Sequence, residues 1–118
     1  MLRYTNAGHL QPILIREGKA SALPGDGMVV GLMPNVSYEQ QEMQLLPGDL
    51  VAIFSDGIPE AENAAEQEFG EARLGELLRT HADRPLDELI EVVTCAVDEW
   101  AHDPAARDDT TIVVMRRA

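Results

Sequence analysis

Basic side chains are scarce in this sequence. Its 118 residues hold 9 Lys and Arg against 21 Asp and Glu, a formal net charge of −12. Nucleic acids and anionic membrane surfaces are gripped chiefly by basic side chains, so neither is an expected partner. Cysteine is rarer still. Cys95 stands alone and can form no internal disulfide, which fits a reducing, cytoplasmic setting. It lies in an apolar helical pattern and is expected to be a buried structural thiol. Long apolar runs are missing as well. None approaches the roughly 18–20 residues that a membrane span needs, and Met1-Leu2-Arg3-Tyr4 lacks the charged-then-apolar order of a signal peptide. Without repeats, low-complexity tracts or a clear linker, the length suits one small domain around one core. Hydrophobic residues make up 45% of the chain, enough to build that core. The acidic surplus either keeps a surface soluble or, where carboxylates gather, binds a cation.

The first half reads as strands. Leu2-Arg3-Tyr4-Thr5 alternates and runs into the turn signal Asn6-Ala7-Gly8-His9. A strand at the very start implies that the sequence begins inside a larger domain. Pro12-Ile13-Leu14-Ile15-Arg16 is a second strand, Glu17-Gly18-Lys19 a hairpin turn, and 20–23 a third strand. The Gly- and Pro-rich stretch 24–34 reads as loop. Met43-Gln44-Leu45-Leu46 reads as strand and Pro47-Gly48-Asp49 as a turn. Leu50-Val51-Ala52-Ile53-Phe54 is continuously apolar, the mark of a strand buried on both faces.

The second half reads as helices. Leu74, Leu77 and Leu78 share one face of a helix over 71–81. Leu86, Leu89, Ile90, Val93, Val97 and Trp100 form a long amphipathic stripe. Asp83 or Pro85 starts this helix and Pro104 lies just past its end. The β-branched run 110–115 is expected to close the chain as a buried strand. Strands, then helices, then a returning strand describe an α+β layered fold.

Three groups of residues can carry chemistry. In Phe54-Ser55-Asp56-Gly57 a carboxylate follows a buried strand directly, and Gly57 permits a sharp turn. A rigid element then presents Asp56 at the sheet edge, as a hard cation such as Mg²⁺ or Mn²⁺ requires of its oxygen ligands. Taken alone, Asp-Gly is equally the signature of an ordinary turn or helix N-cap. In Arg107-Asp108-Asp109-Thr110 two adjacent carboxylates repel unless Arg107 or a metal offsets them; a solvated loop is the plainer alternative. In Asn6-Ala7-Gly8-His9, His9 is a metal ligand, an acid/base group or a hydrogen-bonding strut. His81 and His102 fall near helix ends and read as surface residues.

Taken together and in order, these blocks become specific. Tyr4-Thr5-Asn6-Ala7-Gly8-His9, Pro12-Ile13-Leu14-Ile15, Leu46-Pro47-Gly48-Asp49, the run from Phe54 through Asp56-Gly57 to Glu60-Ala61, Phe69-Gly70, and Asp108-Asp109-Thr110-Thr111-Ile112-Val113 closely resemble the SpoIIE/RsbU group of bacterial PPM-type (protein phosphatase 2C-like) serine/threonine phosphatases. The resemblance covers essentially the whole chain and matches the C-terminal part of that domain. It implies a partial PPM-type fold, a β-sandwich flanked by helices in α-β-β-α layers. It also implies two divalent metals, Mn²⁺ or Mg²⁺, and hydrolysis of phosphoserine or phosphothreonine in a protein substrate. By the same resemblance the usual substrate is a small phosphorylated regulator, often an anti-sigma-factor antagonist, in cytoplasmic signalling.

By the same resemblance Asp56 and Asp108 are the metal ligands. Asp109 is a neighbour that tunes the site, and Gly57, Glu60 and Asn63 lie near it. Asn6, Gly8 and His9 belong to a motif of mainly structural role. Pro59 departs from the family's usual Thr and stiffens the turn after Asp56. Family members also carry an upstream Asp-x-x-Gly-His-Gly type stretch whose aspartate bridges the metals, and no part of this sequence matches it. Two carboxylates bind a hard ion weakly and do not hold a two-metal cluster. The chain by itself is therefore expected to be inactive, to need a missing N-terminal half, and to expose an apolar face that favours dimerisation. A truncated regulatory or interaction module derived from the same domain is the alternative.

Overall fold

The computed structural model describes residues 1–25, 34–35, 37–103 and 109–118. Most of the expected 24–34 loop, Pro104, Arg107 and Asp108 lie outside the described residues. Six strands and two helices follow the chain in the order β1 (Leu2–Tyr4), β2 (Ile13–Arg16), β3 (Lys19–Ala22), β4 (Gln41–Met43), β5 (Leu50–Phe54), α1 (Gly70–Thr80), α2 (Leu86–Trp100) and β6 (Ile112–Arg116). The strands form a four-stranded antiparallel sheet, ordered β3-β2-β5-β6, and a two-stranded β1-β4 ribbon.

The apolar pattern explains the layering. Along β2, Ile13 and Ile15 face one way and Leu14 the other, and all three are buried. Along β5, Leu50, Ala52 and Phe54 join Ile13 and Ile15 against the helices, where Leu74, Leu78, Leu89, Val93 and Val97 complete the main core. Leu14, Val51 and Leu23 meet Leu2, Tyr4 and Met43 of the ribbon on the opposite face. Both central strands are thus covered on two sides, and burial of each large aliphatic side chain stabilises the fold by about 1.5–3 kcal/mol. The result is a helix layer, a sheet and a second, smaller sheet, a mixed α+β arrangement as expected.

Local geometry follows the turn chemistry. Glu17 and Gly18 both take positive φ, 51° and 74°, the two-residue hairpin geometry that matches strand twist. Gly70 opens α1 with φ +82°, a conformation that disfavours any side chain. Pro85 stands at the N-terminal boundary of α2 with φ −52°.

Three expectations need correction. Cys95 is exposed. It lies two residues, about 200° of helical turn, from Val93 on the buried stripe and so points away from the core. The strand expected over 43–46 lies earlier, at Gln41–Met43. Beyond it the backbone groups are taken by side chains: Arg16 Nη2 donates to the Gln44 carbonyl at 2.8 Å, and the Leu46 N–H donates to Asp49 Oδ2 at 2.8 Å. β6 is not buried throughout. It occupies the edge of the sheet next to β5, Ile112 and Val114 pack on the helix side, and Val113 and Met115 are 49% and 38% exposed on the other.

Candidate metal centre

Asp56 is placed by the end of β5. That strand is pinned between β2 and β6, with Phe54 opposite Ile112 as the last pair of the β5–β6 ladder. The chain then coils: the Ser55 carbonyl accepts from Ile58 N–H at 3.2 Å and the Asp56 carbonyl accepts from Glu60 N–H at 3.0 Å. Asp56 heads this turn with its side chain in solvent, whereas Gly57, Ile58 and Pro59 are buried beneath it. Pro59 suits this position because its missing N–H is not needed, and its carbonyl accepts from Gly70 N–H at 2.8 Å. The turn forms without a positive φ at Gly57. Gly57 is buried within the turn it was expected to permit.

The beginning of β6 comes to the same place. Ser55 N–H donates to the Thr111 carbonyl at 3.0 Å. Thr111 N–H donates to Ser55 Oγ at 2.9 Å, and Ser55 Oγ donates to the Asp109 carbonyl at 3.4 Å. The residue before Asp56 is thus laced to the residues after Asp108, and Asp109 stands exposed beside the Asp56 turn. Asp108 itself lies outside the described residues. Ser55 is the contributor that motif reading passed over; its only sequence signal is a hydroxyl immediately before Asp-Gly at a strand end.

The remaining candidates fall nearby in differing ways. Because β2 runs antiparallel to β5, with Ile13 opposite Ala52, the 6–9 turn that leads into β2 lies at the end of the sheet where β5 finishes. Asn6 is buried, and its Oδ1 accepts the His9 N–H at 2.8 Å. The His9 ring is exposed, with Nδ1 2.8 Å from the Leu10 carbonyl. These bonds hold the turn itself. Glu60 is exposed one helical turn after Asp56. Asn63 spends its Oδ1 on the N–H groups of Ala65 and Gln67, at 2.9 and 3.0 Å.

An open cleft of about 590 Å³ adjoins the turn, with Gly57, Glu60, Glu62 and Asn63 on one side and His102 and Asp103 on the other. The far wall is fastened by His102 N–H donating to the Glu62 carbonyl at 2.9 Å and Trp100 Nε1 donating to the Gln67 carbonyl at 2.9 Å. Arg73 stacks 4.1 Å above the Trp100 ring and donates to the Phe69 carbonyl at 2.9 Å.

The acidic side chains that the described turn itself carries are those of Asp56 and Glu60, both exposed carboxylates. That set suits a hard divalent cation such as Mg²⁺ or Mn²⁺. Among the described residues no three Asp, Glu, His or Cys side chains converge closely enough to enclose one. The donor type therefore fits, as one side of a site. Among the described residues no helix is long and apolar enough to cross a membrane.

Comparison with known proteins agrees with this architecture. The family model described as Stage II sporulation protein E (SpoIIE) matches residues 1–118. Protein IcfG of Synechocystis sp. is 28% identical over 118 residues, covering 98% of this chain and 18% of that protein. Phosphoserine phosphatase RsbU of Bacillus subtilis is 29% identical, covering 97% of this chain and 34% of that protein. The chain therefore spans about a third or less of the curated relatives it matches. Among solved structures, the SiaA-PP2C domain of Pseudomonas aeruginosa superposes with a TM-score of 0.80 at 26% identity, over 94% of this chain and 44% of that one. The match along the full sequence and the shared layering agree: the chain belongs to the SpoIIE family and has, over its length, the fold of a PPM-type phosphatase domain.

Proposed function

We propose that this chain supplies the Asp56 side of the active site in a metal-dependent phosphoserine/phosphothreonine protein phosphatase of the SpoIIE/RsbU type, as the C-terminal part of that domain. The observation that supports this reading is the lacing of Ser55, the neighbour of Asp56, to Asp109 and Thr111 at one end of one sheet. Asp56 and Asp108 are the proposed ligands, with Asp109, Glu60 and Gly57 beside them. Asn6 and His9 hold the adjoining turn. When bound, a pair of Mn²⁺ or Mg²⁺ ions supplies an activated water and offsets the charge of the phosphoryl oxygens. The chain's own part is to hold carboxylates rigidly at a solvent-open edge, since Asp56 is exposed while the turn beneath it is buried. The relative named as a phosphoserine phosphatase supports phosphoserine as the group attacked; a phosphorylated protein, for example an anti-sigma-factor antagonist in cytoplasmic signalling, is the proposed carrier.

The test compares two proteins: this chain, and the same residues in a chain extended upstream through the Asp-x-x-Gly-His-Gly type stretch. With Mn²⁺ and a phosphoserine protein, the extended chain should release phosphate and the 118-residue chain should release little. In the extended chain Asp56→Asn and Asp108→Asn should each lower the rate roughly 100-fold or more, since each removes a charged ligand. Asp109→Asn should be milder. An extended chain fully active without Asp56 sinks the site assignment. An inactive extended chain favours a regulatory or interaction module instead.

A further inference from the structure

We infer that Ser55 is the positioning residue of this site: its side-chain hydroxyl fixes where Asp56 stands relative to Asp109. The inference rests on the reading of Asp56 as a ligand for a hard divalent cation.

The reason lies in how the β5–β6 ladder ends. In an antiparallel pair, directly opposed residues of the hydrogen-bonded kind exchange two bonds, each N–H to the other's carbonyl. Ser55 and Thr111 make only the first of these, Ser55 N–H to the Thr111 carbonyl at 3.0 Å. The second is not available, because the Ser55 carbonyl has turned away to accept Ile58 N–H at 3.2 Å and close the turn that carries Asp56. Thr111 N–H donates instead to Ser55 Oγ at 2.9 Å. The hydroxyl thus replaces the residue's own carbonyl in the last rung. Its proton is left to reach the Asp109 carbonyl, a long bond of 3.4 Å.

This substitution lets β5 leave the sheet at residue 55 without parting from the start of β6. An alanine would leave the Thr111 N–H without its partner and, with the bond to the Asp109 carbonyl also gone, the 109–111 segment joined to Ser55 by two bonds fewer. Threonine carries the same hydroxyl on the same carbon and tolerates extended backbone. A hydroxyl is therefore the group required here, and two carboxylate-bearing segments depend on it for their separation.

The test uses the ¹⁵N-labelled 118-residue chain as wild type, Ser55→Ala, Ser55→Thr and Asp56→Asn. Without metal, Thr111 amide exchange should quicken about tenfold in Ser55→Ala, as expected for loss of one hydrogen bond, and stay near wild type in Ser55→Thr. On titration with Mn²⁺, paramagnetic broadening of the Gly57 amide should report an apparent affinity about tenfold weaker in Ser55→Ala and recovered in Ser55→Thr. A Ser55→Ala protein that exchanges Thr111 faster yet binds Mn²⁺ as wild type does overturns the positioning role, since the bond would then be merely structural. Unchanged Thr111 exchange overturns the strap itself. If wild type and Asp56→Asn broaden alike, the cation reading fails and the positioning role falls with it. Thr111 exchange in the same samples shows separately whether the strap exists. Should Ser55→Ala not fold, Ser55→Cys, with a similar volume but a weak acceptor, gives the same comparison.

Discussion

Arg16 grips Asp49 across 33 residues of sequence: Nε lies 3.2 and 3.0 Å from the two carboxylate oxygens and Nη2 lies 2.6 Å from Oδ2. Asp49 is only 2% exposed, and its Oδ2 also accepts the Leu46 N–H at 2.8 Å. This pair joins the end of β2 to the turn that launches β5. The hydrogen bonds from Arg16, above all, hold the Asp49 carboxyl below the usual carboxylate range, against the opposing effect of burial.

Stability should therefore depend on acid. With its folded-state pKa depressed, Asp49 contributes fully above the unfolded value of about 3.9. Below that value the unfolded chain holds more protons than the folded one, and stability falls as pH drops through the depressed pKa. Chemical denaturation between about pH 6 and 2.5 should show this slope, and Asp49→Asn should flatten it. At neutral pH Asp49→Ala should cost about 1–3 kcal/mol, because the Leu46 N–H and the Arg16 guanidinium both lose an acceptor.

β6 should respond to substitution by alternate residues. Val113→Thr should change stability by less than about 0.5 kcal/mol, as expected for a position that is half exposed. Val114→Asp, on the helix side, should unfold the chain or cost more than about 3 kcal/mol by placing a carboxylate against the core. Thermal melts of the two variants decide the matter, and equal effects would contradict the edge position of β6.

Trp100 is the single tryptophan of the sequence, so its emission reports one place, the fastening of α2 to the 61–69 segment. Trp100→Phe keeps a ring beneath Arg73 and loses the Nε1 bond to the Gln67 carbonyl. It should cost roughly 0.5–1.5 kcal/mol. Trp100→Ala also removes the stacking with Arg73 and the edge-on contact with Phe69, whose ring centre is 6.1 Å away. It should cost about 2 kcal/mol more than the Phe variant. Urea unfolding followed by circular dichroism gives both values.

Gly70→Ala should destabilise by about 1–2 kcal/mol although space is open around a added methyl group there. The cost comes from the positive φ alone. Gly75→Ala gives the contrast: it sits within α1 at ordinary φ, and the new carbon would meet Ala20 Cβ at 3.5 Å, an ordinary contact. That change should be neutral or stabilising by up to about 1 kcal/mol in a thermal melt.

The sequence alone determined the kinds of element and the burial of β5. A short apolar run marked β2, a continuous one marked β5, the stripe from Leu86 to Trp100 marked α2, and the ordered motif series marked the family. These are local or repeating signals, and backbone geometry converts them directly into faces. Only the tertiary structure decided which faces found partners. The run at β6 looked buried because it is β-branched and mostly apolar, yet its place at the sheet edge leaves Val113 and Met115 open. Cys95 sat among apolar residues in sequence but on the far side of the helix in space. Asp49 read as a turn residue until Arg16 was brought to it by the pairing of β2 with β5. The role of Ser55 was equally hidden, because its partners Asp109 and Thr111 are 54 and 56 residues away. Strand register alone brings such distant groups within hydrogen-bond reach, and register is set by the packing of the whole sheet.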